Sequence, residues 1–389
     1  MKYNFDQVID RRGSNSIKVD GVKERWGRDD LMPMWVADMD FATPQFILDA
    51  VKKRCEHPVL GYTDKPESYY QAIMGWVNRR YQMNVQKENI TFVPGIVAGL
   101  GMALKCFTNP GDKVMIMPPV YGPFASLNEK NDRTLVKCPL KLIDGHYHVD
   151  VELFDKQKKG IRVFILCNPH NPGGVVWTHE ELETIANICA EDNILVFSDE
   201  IHADLTLPPH KHLPFANVSD KARYNSITFM APSKTFNMPG VAASQAIIFN
   251  ENIRSKFNKF LEASELNSGH VFVYPAVEAA YTQGEEWLNQ CLEYIQGNID
   301  FTDEYIKEHM PKIKVMRPMA SFLVWLDCRE LNMTQEELSD FFADKAHLAL
   351  NDGTVFGQEG TGYMRLNIGC PRSVLAQAMK QLEAAYKQL

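Results

Sequence analysis

Between Ile90 and Phe249, short apolar runs rich in β-branched residues alternate with helical segments, and this alternation limits the fold more than any other feature. The runs are Ile90–Val93, Lys113–Met117, Thr134–Leu140, Val163–Cys167, Ile194–Ser198, Ser226–Met230 and Gln245–Phe249. Between them lie helical stretches such as Ile96–Phe107 and Thr178–Asp192, the second opened by a Thr178/Glu181 capping box. Strands that alternate with helices predict an α/β fold, a mostly parallel sheet covered by helices on both faces. In such sheets the site lies at the carboxyl ends of the strands. The Pro94-Gly95 turn, Tyr121, Asn168–Gly174, Asp199 and Lys234 all fall at those ends.

The flanks differ in texture. Phe5–Trp35 has little periodicity and reads as an ordered arm, ending in the aromatic and acidic loop Pro33–Phe41. That loop either caps the core or covers a cleft or a partner subunit. Thr43 as N-cap and Pro44 at the first helical position predict a helix over Gln45–Cys55, and Glu67–Tyr81 predicts a second. Long helices are expected near Glu251–Leu266 and Glu286–His309. Strand Ser321–Asp327, helix Thr334–Lys345, strand Tyr363–Ile368 and helix Arg372–Gln388 then suggest a smaller α+β domain. A chain of 389 residues suits such a division. The expected parts are an arm at 1–45, a large domain at 46–285 and a small domain at 286–389.

Composition removes several function classes. A net charge of −8 argues against nucleic acid as a partner. No apolar run approaches the ~20 residues that span a bilayer, so no membrane partner is expected. Met1–Arg12 is polar and lacks a signal-peptide core. The eight cysteines are scattered singly without a C-x-x-C pair, as reduced packing residues would be, which points to the cytoplasm. His170, His202, His210 and His212 are spaced poorly for a closed site, and no metal is expected.

Lys234 follows strand Ser226–Met230 among small and apolar neighbours, with no acid close in sequence. A lysine there is either a surface loop residue with its stem on Phe236 or an amine that spends its life uncharged as the imine of an aldehyde cofactor. Asp199 closes an apolar strand, where a carboxylate holds a ring nitrogen protonated or caps a helix. Asn171 can donate to an aromatic oxygen, or belong to a plain Pro/Gly turn. Tyr121 can stack on a flat ring or plug the core. The small-sided helix after Pro94-Gly95 can present bare amides to a phosphate, or merely pack closely. Arg365 interrupts an apolar strand, to bind a carboxylate or pair with an internal acid.

Asn171-Pro-Gly-Gly, Asp199-Glu-Ile-His202, Ser233-Lys-Thr-Phe-Asn237 and Met364-Arg-Leu-Asn resemble the motifs of fold-type I pyridoxal-phosphate enzymes of the class I/II aminotransferase superfamily. The arm, Phe5-Asp…Asp10-Arg-Arg-Gly-Ser-Asn-Ser with Met34-Trp-Val-Ala-Asp-Met-Asp-Phe41, resembles the MalY/PatB-type cystathionine β-lyases, also called C–S lyases. The resemblance runs essentially end to end. It implies pyridoxal 5'-phosphate bound by Lys234 as an imine, with Asp199 on the pyridine nitrogen, Asn171 on the ring oxygen and Tyr121 stacked on the ring. It implies phosphate contacts from the amides of Ile96 and Val97 and from Ser233, and from Tyr62 of a neighbouring subunit in a homodimer. Arg365, helped by Ala37 and Asp38, would grip the α-carboxylate of a small sulfur-containing amino acid. The wider superfamily often has a hydroxyl residue three before the lysine and an arginine eight after it; Ala231 and Ala242 stand there. The implied reaction is β-elimination of the C–S bond of cystathionine or a cysteine S-conjugate to thiol, pyruvate and ammonia. An aminotransferase shares the same ring chemistry, and a cofactor-carrying regulatory protein that binds another protein is the alternative of a different class.

Overall fold

In the computed structural model, which describes residues 2–389, the alternating region forms one seven-stranded sheet; Met1, the first residue of the polar N-terminal stretch, lies outside the described residues. The strand order is Ile90–Val93, Ser244–Ile247, Ser226–Met230, Leu195–Asp199, Ile161–Cys167, Lys113–Ile116 and Thr134–Lys137. Five neighbours from Ser226–Met230 to Thr134–Lys137 run parallel, while Ser244–Ile247 is antiparallel to both of its partners. The central strands are buried on both faces, which is why they read as near-continuous apolar runs. Helix Ile96–Phe107 lies against the sheet through Gly99, where a Cβ would stand 2.9 Å from Val93 and 3.0 Å from Phe229.

A second sheet of four strands is built from Lys314–Met316, Leu323–Asp327, Tyr363–Asn367 and Asn351–Asp352, all antiparallel. The 25-residue helix Glu285–His309 and the terminal helix Arg372–Tyr386 pack on it, sharing one large core with helices Gln45–Glu56, Glu67–Tyr81 and Val273–Gln283. No helix of the described residues is long and apolar enough to cross a membrane. All eight cysteines are free thiols, six of them buried.

Several expectations are corrected. Thr43 does not cap the helix that begins at Gln45: Pro44 occupies the cap, and the Thr43 hydroxyl donates to the carbonyl of Asn237 at 2.7 Å. Strand Ser226–Met230 ends as expected, and Pro232 then opens a four-residue helix, Pro232–Thr235, that carries Lys234. Residues 22–26 form a short helix inside the arm, and Val273–Gln283 is a helix that went unrecognised, its small and aromatic residues buried almost all round so that no amphipathic stripe marks it. The expected helix Thr334–Lys345 turns π-helical from Phe341.

Candidate active site

The carboxyl ends of the central strands open into a cavity of about 270 Å³. Ala37, Gly95, Ile96, Val97, Tyr121, Asn171, Asp199, His202, Ser233 and Lys234 line it. Ten residues that lie between 37 and 234 in sequence meet there because each follows a strand end or, for Ala37, because the arm folds back over the opening.

Lys234 leaves the short helix after strand Ser226–Met230, and its Nζ donates to the carbonyl of Ala37 at 2.6 Å. Burial is the main reason its pKa falls to about 8; Asp38 and Asp199 act the other way, and the Arg365 charge adds to the fall. Asp199 is 3% exposed, and its Oδ1 accepts from the amide of Ile201 at 3.1 Å. Burial lifts its carboxyl to about 7, against the opposing pull of that amide and of Lys234. A base lowered to about 8 and an acid raised to about 7 thus share one pocket. The Tyr121 phenol is pushed up by burial.

Helix Ile96–Phe107 starts beneath the same cavity. Gly95 stands at its N-cap with φ +104°, and no side chain caps it. The first amides of a helix have no partner within it and favour an anion. Toward this end the lining is Ala98, Ala242, Ala243 and Ser244, and Lys234 is the one lysine or arginine lining the cavity among the described residues. Ala242, in the left-handed region at φ +53°, faces this end of the cavity; Ala231 is buried and lies outside the lining.

Arg365 projects from the four-stranded sheet. It is 3% exposed, with Nη1 donating to Asn171 Oδ1 at 3.1 Å and Nη2 to the carbonyl of Trp35 at 2.9 Å. Its Nε is buried without a partner. Among the described residues no acid pairs with it, and burial lowers its pKa to about 10. Ala37 lines the cavity, whereas Asp38 and Arg365 lie outside its lining and the Asp38 carboxylate is turned to Arg11, which bonds it at 2.9 and 3.0 Å and reaches Asp40 at 2.7 Å. Tyr62 lies elsewhere, fully exposed on the loop after helix Gln45–Glu56 and outside the lining of this cavity.

Sequence reasoning missed much of what holds the arm in place. Lys18 is wholly buried and bonds Asp40 at 2.7 Å and the Asp38 carbonyl at 3.2 Å. Asn237 accepts from the amide of Met39 and donates to the carbonyls of Met39 and Phe41. Asn367 donates to the carbonyls of Val36 and Asp38, and Asn351 to that of Trp35. The arm is therefore gripped from the large sheet by Lys234 and Asn237 and from the small sheet by Arg365, Asn367 and Asn351. Asp204 was missed too. It accepts from Trp76, Tyr81 and Thr235 and ion-pairs with Arg80 at 2.9 Å, anchoring the turn beside Lys234. His202, three residues after Asp199, lines the cavity with its Nδ1 buried and unpartnered; burial drives its pKa to about 3, so the ring is neutral. His170 instead bonds the Pro119 carbonyl and His212 bonds Glu200, which uses both as structural residues.

The sequence as a whole decides the lineage: residues 29–382 match the model of the family described as aminotransferase class I and II. The chain belongs to that family. Within it, the chain is 41% identical to the cystathionine beta-lyase PatB of Bacillus subtilis over 98% of this chain and 99% of that one. It is 31% identical to the protein MalY of Escherichia coli over 98% of each. The crystal structure of cystalysin from Treponema denticola, which contains a pyridoxal 5'-phosphate cofactor, superposes with a TM-score of 0.96 at 33% identity, over the full length of both chains. The fold is that of the fold-type I members of the aminotransferase family, as the motifs around Lys234 imply.

Proposed function

We propose that the protein is a pyridoxal 5'-phosphate-dependent carbon–sulfur β-lyase that cleaves cystathionine or a cysteine S-conjugate to thiol, pyruvate and ammonia. The observation that carries the reading is the buried Lys234 amine, drawn down to about 8, in one cavity with the Asp199 acid and an uncapped helix N-terminus. That donor set fits the cofactor group by group: an amine for its aldehyde, an acid for its ring nitrogen, bare amides for its phosphate, and the Tyr121 ring for its flat face.

When bound, the cofactor supplies an electron sink for the pair left by the departing α-proton. The chain's own residues do the rest. Lys234 would hold the cofactor and, as a free amine, would take the α-proton at Nζ; an amine with a pKa near 8 is largely competent at slightly alkaline pH. Asp199 keeps the proton on the ring nitrogen. Asn171 bonds the ring oxygen and Tyr121 stacks on the ring. The amides of Ile96 and Val97, with Ser233, bind phosphate at the helix N-terminus. Arg365 takes the α-carboxylate, beside Ala37 and Asp38, and excludes substrates that lack it. The arm, held over the cavity by Lys234, Arg365 and Asn367, would limit the access of water to the reacting atoms.

The same reading makes the active form a homodimer. Tyr62, with Val59 and Leu60, forms an exposed apolar loop, and each Tyr62 would complete the phosphate site of the other subunit. The two sheets would belong to the large and small domains at 46–285 and 286–389, with the arm at 1–45 joining them. The free thiols of all eight cysteines fit residence in the cytoplasm.

Transamination is the second reading, since the family is described by it. One experiment separates the two. Purified protein is mixed with L-cystathionine in the absence of a keto acid, and pyruvate and free thiol are followed. Continuing, equimolar release of both establishes the lyase. No release, with turnover only when a keto acid is added, would make it an aminotransferase.

A further inference from the structure

Arg365 presents an unusual account of a buried charge. Its guanidinium is covered from solvent, has no carboxylate partner among the described residues, and leaves Nε unbonded. An unpaired buried cation is expensive, and structures keep one only where something else compensates it. Here its Cζ lies over the ring of Phe356, 4.8 Å from the ring centroid. A ring in that position attracts a cation through its quadrupole, more strongly once water is excluded.

Phe356 is itself held in one place. It is 3% exposed and meets Trp325 edge-on at 5.3 Å; Trp325 stacks on Tyr363 at 5.1 Å and lies across the strand from Arg365. Its carbonyl accepts from the amide of Val120 at 2.8 Å, next to Tyr121. Neighbouring Val355 abuts Gly122, where a Cβ would come within 2.3 Å of its carbonyl oxygen. The segment carrying the ring is thus wedged between the Tyr121 turn and the Arg365 strand.

We propose that Phe356 is the positioning residue for substrate carboxylate recognition: its ring holds the Arg365 guanidinium in place and compensates its charge, while Nη1 and Nη2 are anchored by Asn171 and Trp35 and the unbonded Nε edge is left for a carboxylate. The Cζ lies over the ring of Phe356, and a carboxylate would meet the Nε edge, so the two do not compete. The inference rests on Arg365 being the carboxylate-binding group, as set out above.

The test measures binding by calorimetry on the holoenzyme, with L-alanine as a ligand carrying the carboxylate and ethylamine as one lacking it. Wild type, Phe356→Leu, and a variant with fluorinated phenylalanine at 356 are compared. The fluorinated ring keeps the shape but loses the quadrupole. The expected result is that the preference for L-alanine over ethylamine falls by about tenfold in both variants while ethylamine affinity holds. In steady-state assays the same variants raise KM and leave kcat within about twofold. A loss confined to the Leu variant would make the role one of volume and overturn the inference, as would an unchanged preference in both. A wild-type enzyme with no preference for L-alanine would overturn the assignment of Arg365 as well, which marks that failure apart.

Discussion

The Nζ of Lys234 and the carbonyl oxygen of Ala37, 197 residues apart in sequence, are joined by a hydrogen bond of 2.6 Å. The amine that would hold the cofactor therefore rests against the arm, and the arm rests on it. Chemistry and closure share one contact.

Replacing Lys234 with Ala should abolish cystathionine cleavage and the visible absorbance of the bound cofactor, a loss of at least about 10²–10⁴-fold in turnover. In the cofactor-free protein, acylation of Lys234 by an amine reagent should follow a titration centred near pH 8, since the free amine dominates above its pKa of about 8. Mass spectrometry of the labelled peptide across pH checks this; a midpoint at the ordinary lysine value would contradict it.

Asp199 predicts a trade of stability against activity. Its pKa is 3.8 unfolded and about 7 in the folded protein. A folded pKa raised in this way means that stability is fully present below pH 3.8 and is lost as pH rises through 7. Asp199→Asn should remove that loss, stabilising the cofactor-free protein at pH 8 by up to about 4 kcal/mol while cleavage collapses. Urea unfolding at pH 5 and pH 8 measures it: the gain should be present at pH 8 and shrink at pH 5.

Arg365→Lys keeps the charge and loses the planar fork. It should lower kcat/KM for cystathionine by about 100-fold, most of it through KM. Equal losses in kcat and kcat/KM would instead place Arg365 in the chemical step.

Asn237→Ala removes three hydrogen bonds to Met39 and Phe41 and places alanine at φ +50°. The expected cost is about 2–4 kcal/mol in denaturant unfolding, with faster proteolysis of the arm.

If Tyr62 serves the partner's site, Tyr62→Ala and Lys234→Ala proteins should each be weak alone yet complement when unfolded and refolded together. A statistical mixture of dimers would restore about a quarter of wild-type activity. No recovery would confine Tyr62 to its own chain.

What the sequence made legible was the part governed by local pattern. Strand Ser226–Met230 and helices Glu67–Tyr81 and Ile96–Phe107 are found at their expected bounds, because buried parallel strands and amphipathic helices advertise themselves in composition. The positions of Lys234, Asp199 and Asn171 at strand ends followed from the same logic. Thr43 was misread because a hydroxyl before proline suits a cap as well as it suits the distant Asn237 carbonyl it bonds. Lys18 and Asn367 gave no local signal: each is a polar residue whose partner lies far along the chain and whose burial only the tertiary fold creates.

The double grip on residues 35–41 sets an order of assembly. The arm leaves the ribosome well before Arg365, Asn367 and Asn351, which hold it from one side and are separated from it by 316 to 331 residues. Contacts so distant in sequence form late. The arm thus waits to dock until long after it is made, and a nascent chain that still lacks strand Tyr363–Asn367 has Lys234 and Asp199 but only half of the grip that covers them.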